Sequence, residues 1–127
     1  MSMVVHDVVV RWRQRTGVLH SAEWDAMLDA LGMDVERCDL GDSILAAVVN
    51  DCVYLDERLH GCLAAWCVWH EIGHVLLHAG GPLWWASRPQ GWLTVARFER
   101  QADEFARLFP IWGHNDSIKC EERNQWL

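Results

Sequence analysis

The chain has 127 residues, of which 51 % are hydrophobic and nine are tryptophan, and its formal net charge is −7. A chain of this length fits one domain with one modest core, and the negative charge argues against direct binding to nucleic-acid phosphates. We therefore expect a single domain over residues 1–127, with its core at about residues 20–110 and a short polar tail over residues 111–127.

Targeting and membrane-spanning patterns are not found in the sequence. The first residues lack a long apolar run and a small-residue cleavage site. The longest apolar run, residues 62–69, is too short to cross a bilayer. The five cysteines are an odd number without a Cys-x-x-Cys pair, which favours reduced thiols over a secreted disulfide framework. These patterns predict a cytoplasmic protein without a membrane partner.

Two helices are predicted at the start of the chain. Apolar residues at helical spacing over residues 4–12 favour a helix that ends at Gly17, although the many valines make a strand the competing interpretation. Ser21 is predicted to be the N-cap of a second helix over residues 22–31, and Gly32 is the residue type that commonly follows a helix C-terminus.

Three short strands are predicted next. Residues 33–38 alternate between apolar and polar side chains, the period of a half-buried strand. The apolar runs 44–49 and 52–55 flank Asn50-Asp51, which favours a hairpin. We expect these strands to form one small antiparallel sheet.

Two longer helices follow the strands. The first is predicted from about residue 56 to residue 79, with Gly61 inside it, and it is apolar on nearly every side, which indicates a buried central helix. Gly80-Gly81-Pro82 ends it, and the second helix is predicted over residues 93–108. The predicted fold class is therefore α+β, a small antiparallel three-stranded sheet packed on helices.

Tryptophans stand out in the segments outside these elements. Trp84 and Trp85 lie in an irregular stretch over residues 83–92. They are interpreted either as an aromatic wall or lid beside a site or as packing over a small core. In the polar tail, Trp112 and Trp126 are candidate anchors.

The predicted buried helix carries a complete His-Glu-x-x-His at His70, Glu71 and His74. Two histidines four residues apart project from one helix face, about 6 Å apart, so their imidazoles can converge on one ion. Glu71 is close enough to hydrogen-bond a water molecule at that ion but is poorly directed for ligation. This pattern is typical of a zinc hydrolase whose glutamate is the general base. A metal ion is also the simplest partner for such polar groups on a buried helix.

A catalytic zinc site needs a third protein ligand and one open position. The candidates are His78, Glu99, Asp103 and His114. On a continuous helix His78 lies about 12 Å from His70, too far for all three histidines to share an ion, so we interpret it as a structural or pocket-wall residue. Glu99 is better placed, because it lies on the next helix, which can pack antiparallel to the helix that carries His70 and His74. The alternative is that Glu99 is exposed and only pairs with a neighbouring arginine. Asp103, one turn further, could accept the N–H of a ligand histidine or be a solvated helix residue.

Three segments of this chain belong together: Val53-Tyr54-Leu55-Asp56, Trp69-His70-Glu71-Ile72-Gly73-His74-Val75-Leu76-Leu77-His78 and Glu99-Arg100-Gln101-Ala102-Asp103-Glu104-Phe105-Ala106. In this order they resemble the ImmA/IrrE family of zinc metallopeptidases, which shows a strand, then H-E-x-G-H-x-x-L-H on a helix, then E-x-x-A-[DN]-x-F-A. The resemblance covers roughly residues 20–110. One departure follows the last segment, where Pro110 comes two residues earlier than in the family's F-A-x-x-L-L-M-P.

The resemblance implies a metallo-endopeptidase. It implies His70, His74 and Glu99 as ligands of one Zn²⁺ ion, with Mn²⁺ as the alternative metal, and Glu71 as the base. The implied substrate is a protein, typically a helix-turn-helix transcriptional repressor that is cut to induce mobile-element or stress genes. In the family a sheet edge can receive a substrate segment as an added strand.

Tyr54 and His78 are further candidates, for contacts to substrate or to an oxyanion. A tyrosine on a strand is more often a packing residue, so both interpretations of Tyr54 stay open. The cysteines are most simply small buried hydrophobes.

Two other functions are compatible with these residues. One is a non-proteolytic zinc-containing module that binds a repressor or belongs to a toxin–antitoxin pair; the intact Glu71 argues against it, because a structural zinc site needs no base. The other is a zinc hydrolase for a small molecule. A closed pocket behind Trp84 and Trp85 would favour that hydrolase, and an open cleft beside a sheet edge would favour the peptidase.

Overall fold

The computed structural model describes residues 3–78 and 91–113, with side chains from residue 95 onwards in the second range. The fold is α+β, a small three-stranded sheet packed on helices, as predicted. Within the described ranges no helix combines the length and apolar character that a membrane span requires. The elements in chain order are α1 (Met3–Thr16), a 3₁₀ turn (Ser21–Glu23), α2 (Trp24–Ala30), β1 (Asp34–Cys38), β2 (Ala46–Val49), β3 (Cys52–Asp56), α3 (Gly61–Leu77) and α4 (Gly91–Leu108).

The sheet has β3 at its centre, in the order β1-β3-β2. The predicted hairpin is confirmed: β2 pairs antiparallel with β3, Val48 faces Val53, and Asn50 in the turn has a φ of +54°. In one detail the structure differs from the expected all-antiparallel sheet, because β1 pairs in parallel with β3 and Val35 faces Val53. Residues 39–45 carry the chain to the far edge of the sheet, and the hairpin then returns β3 between the two outer strands.

The prediction that α3 is a buried central helix is confirmed. Its residues 64–69 and 72–74 are buried, and it packs on α4, on the 3₁₀ turn and on the sheet. The indole N–H of Trp69 donates to the carbonyl of Ser21 at 2.9 Å, and its ring lies 5.0 Å from that of Phe109 after the end of α4. One buried tryptophan thus ties the centre of α3 to both neighbouring parts of the chain.

The predicted N-cap at Ser21 is wrong. Ser21 lies inside the 3₁₀ turn, and α2 begins only after that turn. Its backbone N–H donates to the carbonyl of Ile111 at 3.1 Å, a long-range contact that a local capping pattern does not reveal. At the start of the 3₁₀ turn it is Glu23 that accepts a free backbone N–H: its carboxylate accepts the N–H of His20 at 2.9 Å.

The start of α3 also differs from the prediction, because α3 begins at Gly61 rather than near residue 56. Asp56 ends β3, and its buried carboxylate accepts the backbone N–H groups of Leu40 and Arg58 at 3.1 and 2.9 Å. The guanidinium of Arg58 donates to it as well, at 2.9 Å. These bonds hold residues 56–60 in a turn, and Gly61 has a φ of +59°, so it lies at the helix start rather than in its interior.

We expect Asp56→Asn to destabilise the fold, because an amide places a donor among the N–H groups that the carboxylate accepts. The hydrogen bonds from Arg58 hold the pKa of Asp56 well below its ordinary value of 3.8. A carboxyl group whose pKa falls on folding contributes stability that is fully present above the ordinary value and is lost as the pH falls towards the folded-state pKa. Urea unfolding gives the free energy of unfolding of wild type and variant, and measurements at about pH 7 and about pH 3 show both the loss of stability and its dependence on pH.

The exposed Asp51, changed to asparagine, is the matched control. The stability gap between wild type and the Asp56→Asn variant should narrow at the lower pH, while Asp51→Asn should change little at either. An Asp56→Asn variant as stable as wild type at neutral pH would contradict this role.

Candidate metal centre

Helices α3 and α4 bring a row of histidines against a row of hydrogen-bonding side chains. His70 and His74 lie on successive turns of α3, and His78 directly follows the end of that helix. The ring centroids are 4.8 and 5.2 Å apart along this row. Glu99 and Asp103 lie one turn apart on α4. The pairing runs antiparallel, since residue 70 contacts residue 103 while residue 78 contacts residue 101.

Four atoms of three side chains converge between the helices. The two oxygens of the Glu99 carboxylate lie 2.9 Å from Nε2 of His70 and 2.9 Å from Nε2 of His74. The two Nε2 atoms are themselves 3.2 Å apart. These three side chains form a group that could hold one metal ion, and they are the three ligands that the sequence pattern proposed.

The Nδ1 atoms of the two histidines have partners on the outer side of the group. Nδ1 of His70 lies 2.8 Å from a carboxylate oxygen of Asp103, where an N–H must donate because a charged carboxylate only accepts. Nδ1 of His74 lies 3.0 Å from Nδ1 of His78. Nε2 of His78 is in turn 2.8 Å from Oε1 of Gln101. Asp103 and His78 therefore each contact the Nδ1 atom of a candidate ligand.

Gln101 is the contact that the sequence analysis missed. It is neutral, and it belongs to no spacing typical of metal ligands. The one signal that could have found it is His78, because a third histidine in an i, i+4 series on a buried helix needs a polar partner from the facing helix.

The charges in the group reinforce one another. Burial lowers the pKa of His70, but hydrogen bonds to Asp103 and Glu99 outweigh it and raise the pKa to about 10. Hydrogen bonds from His70 and His74 hold the pKa of Glu99 well below its ordinary value. The carboxylate of Glu99 is thus kept charged between two imidazoles, and a divalent cation can replace the protons that bridge them.

Glu71 lies next to this group and stays out of its hydrogen-bond network. Burial raises its pKa above the ordinary value, against the opposing effect of His70 and His74. Among the described residues the influences on this carboxyl are burial and charge, with no hydrogen bond. Its carboxylate therefore remains available to accept a proton from a water molecule. One turn earlier, burial raises the pKa of Cys67 to about 12, so this thiol stays protonated.

Tyr54 lies elsewhere. It alternates along β3 with Val53 and Leu55, which are fully buried in the core that includes α3. Alternation puts the tyrosine on the opposite face of the sheet, where Cys52 and Glu36 raise its pKa. The structure does not bring this candidate oxyanion contact to the histidines.

Other predicted contacts fall partly outside the described residues. His114, Trp126 and the segment 83–90 with Trp84 and Trp85 belong there. Trp112 does act as an anchor: its ring lies 6.0 Å from that of Trp66, and its N–H donates to the carbonyl of Ala106 at 3.0 Å.

Gly73 allows the close approach of the two helices. A Cβ atom built at this position would lie 3.1 Å from Cβ of Phe105 and 3.2 Å from Cα of Ala102 on α4. These distances are shorter than ordinary van der Waals contacts, and one of them is to backbone. Glycine between the two histidines therefore lets the α4 backbone come near enough for Glu99 to reach both.

We expect Gly73→Val to separate α3 from α4, to lower stability by about 1–3 kcal/mol through overpacking and to weaken metal binding. Urea unfolding and titration with Zn²⁺ measure the two effects. Ala96→Val, at an exposed position of α4, is the control for adding a β-branched side chain to a helix. Zinc affinity that is unchanged in the Gly73→Val variant would show that the close approach does not set the ligand geometry.

Comparisons with protein-family models, with curated proteins and with solved structures gave no match. Any function proposed for the centre accordingly rests on its own residues, on their geometry and on the resemblance of the sequence motifs.

Proposed function

We propose that this protein is a zinc-dependent endopeptidase of the kind that the ImmA/IrrE resemblance implies. The observation that carries the proposal is the position of Glu99. Its carboxylate, 29 residues beyond His70, bridges Nε2 of His70 and Nε2 of His74 at 2.9 Å each. Two imidazoles and one carboxylate beside an intact Glu71 are the ligand set and base of two-histidine, one-glutamate zinc hydrolases.

The choice of zinc is supported by the donor atoms and their spacing. Ligand atoms about 2.1 Å from a tetrahedral zinc ion are about 3.4 Å from one another. Each Nε2 lies 2.9 Å from a different oxygen of Glu99, and the two Nε2 atoms are 3.2 Å apart. One ligand atom from each of the three residues lies within 4.8 Å of the other two, so the three residues are placed to surround one ion. With three protein ligands, a bound zinc ion would keep the open position that a catalytic site needs. Mn²⁺ is the alternative, because imidazole and carboxylate also suit that ion.

In this proposal His70, His74 and Glu99 hold the ion, and Asp103 orients the ring of His70 through its Nδ1–H. When bound, zinc supplies Lewis acidity that polarises the scissile carbonyl and acidifies a water molecule. Glu71 accepts the proton of that water as the oxygen attacks the carbonyl carbon. It then delivers the proton to the amine nitrogen as the C–N bond breaks.

The proposed substrate is a protein, in particular a helix-turn-helix repressor, and this part rests on the resemblance. The fold offers one supporting feature: β2 is an edge strand that packs against α3, so a substrate segment could add to it beside the active-site helix. Proteolysis of a repressor also implies a cytoplasmic location, which suits the free thiols of Cys38, Cys52, Cys62 and Cys67.

Incubation of the zinc-loaded protein with the helix-turn-helix protein encoded nearest to it tests the proposal. Intact-mass measurement should detect two fragments whose masses sum to that of the substrate plus one water. A chelator should prevent their formation. A repressor that is bound but stays intact would favour the non-proteolytic binding module, and cleavage that a chelator does not affect would contradict a metal mechanism.

A further inference from the structure

A line of hydrogen bonds leads from the candidate ligand His74 through His78 to Gln101 on α4. Nδ1 of His74 contacts Nδ1 of His78 at 3.0 Å, and Nε2 of His78 contacts Oε1 of Gln101 at 2.8 Å. The ring of His78 is 5 % exposed and stacks on Phe98, with centroids 3.8 Å apart and planes 13° apart. Packing on both helices therefore fixes this ring, and both of its nitrogens are committed.

The direction of each bond in this line follows from the oxygen at its end. An amide oxygen only accepts, so Nε2 of His78 carries the hydrogen and donates it. A neutral imidazole has one N–H, so Nδ1 of His78 is an acceptor. Nδ1 of His74 must then be the donor, so once a metal ion replaces the proton between Nε2 and Glu99, the lone pair of His74 would lie on Nε2, the atom that faces Glu99 and His70.

We infer that Gln101 is a positioning residue that acts through His78 to hold His74 in the tautomer that binds the metal. The inference rests on the proposed zinc site and deepens it. His70 has the simpler arrangement, since the carboxylate of Asp103 can only accept. For His74 the hydrogen on Nδ1 is held by His78 and, behind it, by Gln101. Both groups are neutral, so they add no negative charge to a site that already holds three carboxylates.

The amide of Gln101 is the point at which this line can be reversed. A donor in place of the amide oxygen would make Nε2 of His78 the acceptor, and Nδ1 of His78 would then donate to His74. His74 would carry its hydrogen on Nε2, with no lone pair towards the ion. Substitutions at residue 101 therefore test whether this side chain acts as a hydrogen-bond acceptor for His78 or only as packing.

Zinc dissociation constants, from competition with a chromophoric chelator, test the inference. Gln101→Leu, which keeps the bulk and removes the acceptor, should weaken binding about 10- to 100-fold, because it releases His78, the hydrogen-bond partner of the candidate ligand His74, and disturbing such a partner usually costs that much. Gln101→Glu, which only accepts, should bind within a few-fold of wild type. Arg100→Leu, on the neighbouring exposed position, is the control and should leave the affinity unchanged.

Nitrogen-15 NMR of the imidazoles reads the tautomers directly, with and without zinc. His78 should carry its hydrogen on Nε2 in both states, and His74 should carry its hydrogen on Nδ1 in the zinc-loaded protein. A hydrogen on Nδ1 of His78 would overturn the inference. The inference would also be overturned if the Gln101→Leu variant bound zinc with wild-type affinity, or if the Gln101→Glu variant bound it as weakly as the Gln101→Leu variant.

The two proposals fail in different ways. If wild type binds zinc and cuts its substrate while Gln101→Leu keeps wild-type affinity, the positioning role falls and the peptidase stands. If wild type keeps the expected tautomers and affinities but cuts no protein, the positioning role stands and the peptidase falls. If wild type binds no zinc, both fall.

Discussion

Glu71→Gln is expected to slow peptide cleavage by about 10²- to 10⁴-fold, the usual contribution of a positioned general base, while bound zinc stays at the wild-type level. The amide keeps the size of the side chain and loses the ability to accept a proton from water. Zinc should stay because Glu71 contacts neither Nε2 atom; those atoms face Glu99 instead. Intact-mass time courses and elemental analysis of the purified protein measure the two properties.

Glu57→Gln is the matched control for this substitution, because Glu57 is exposed and lies before α3. It should cut at the wild-type rate and bind the same amount of zinc. A Glu71→Gln variant that cuts at the wild-type rate would contradict the assignment of the base. A variant that loses both zinc and activity would instead mean that Glu71 serves the metal site itself.

The second large effect is expected at Glu99. Glu99→Ala removes the carboxylate that joins His70 to His74 and leaves two protein ligands, too few for a stable catalytic zinc site. Zinc that survives dialysis should fall from about one equivalent per chain to nearly none. In thermal unfolding, zinc at 100 times its dissociation constant should stabilise wild type by about 2.7 kcal/mol, and the variant should show almost no such gain.

Arg100→Ala is the control on the same helix, since this exposed residue directly follows Glu99. It should keep both the zinc and the stabilisation. If Glu99→Ala bound one zinc with wild-type affinity, the third ligand would lie elsewhere, and the geometry between α3 and α4 would have another explanation.

The sequence predicted much of the candidate site because its signals are local or periodic. His70 and His74 are four residues apart, a spacing that any helix converts into one face. Glu99 was favoured once two consecutive long helices were expected to pack antiparallel. The hairpin was predicted because two apolar runs flank Asn50-Asp51, and Asn50 takes the positive φ that asparagine tolerates.

The parts that the sequence did not predict depend on partners far along the chain. Asp56 resembles the acidic first turn of a helix, but its contact with Leu40, 16 residues away, makes it the end of a strand and the anchor of a turn. The direction of β1 is decided by its neighbour in the sheet, about which alternation within one strand carries no information. Gln101 is one neutral side chain among many, and only the position of His78 gives it a role.

X-ray absorption at the zinc edge of the zinc-loaded protein tests the central claim most directly, because it reads the ligand atoms without a substrate. The account predicts imidazole and other light-atom ligands at about 2.0–2.2 Å, in a four-coordinate site. Sulfur at about 2.3 Å would contradict it, because zinc would then be bound by cysteine thiolates and not by His70, His74 and Glu99.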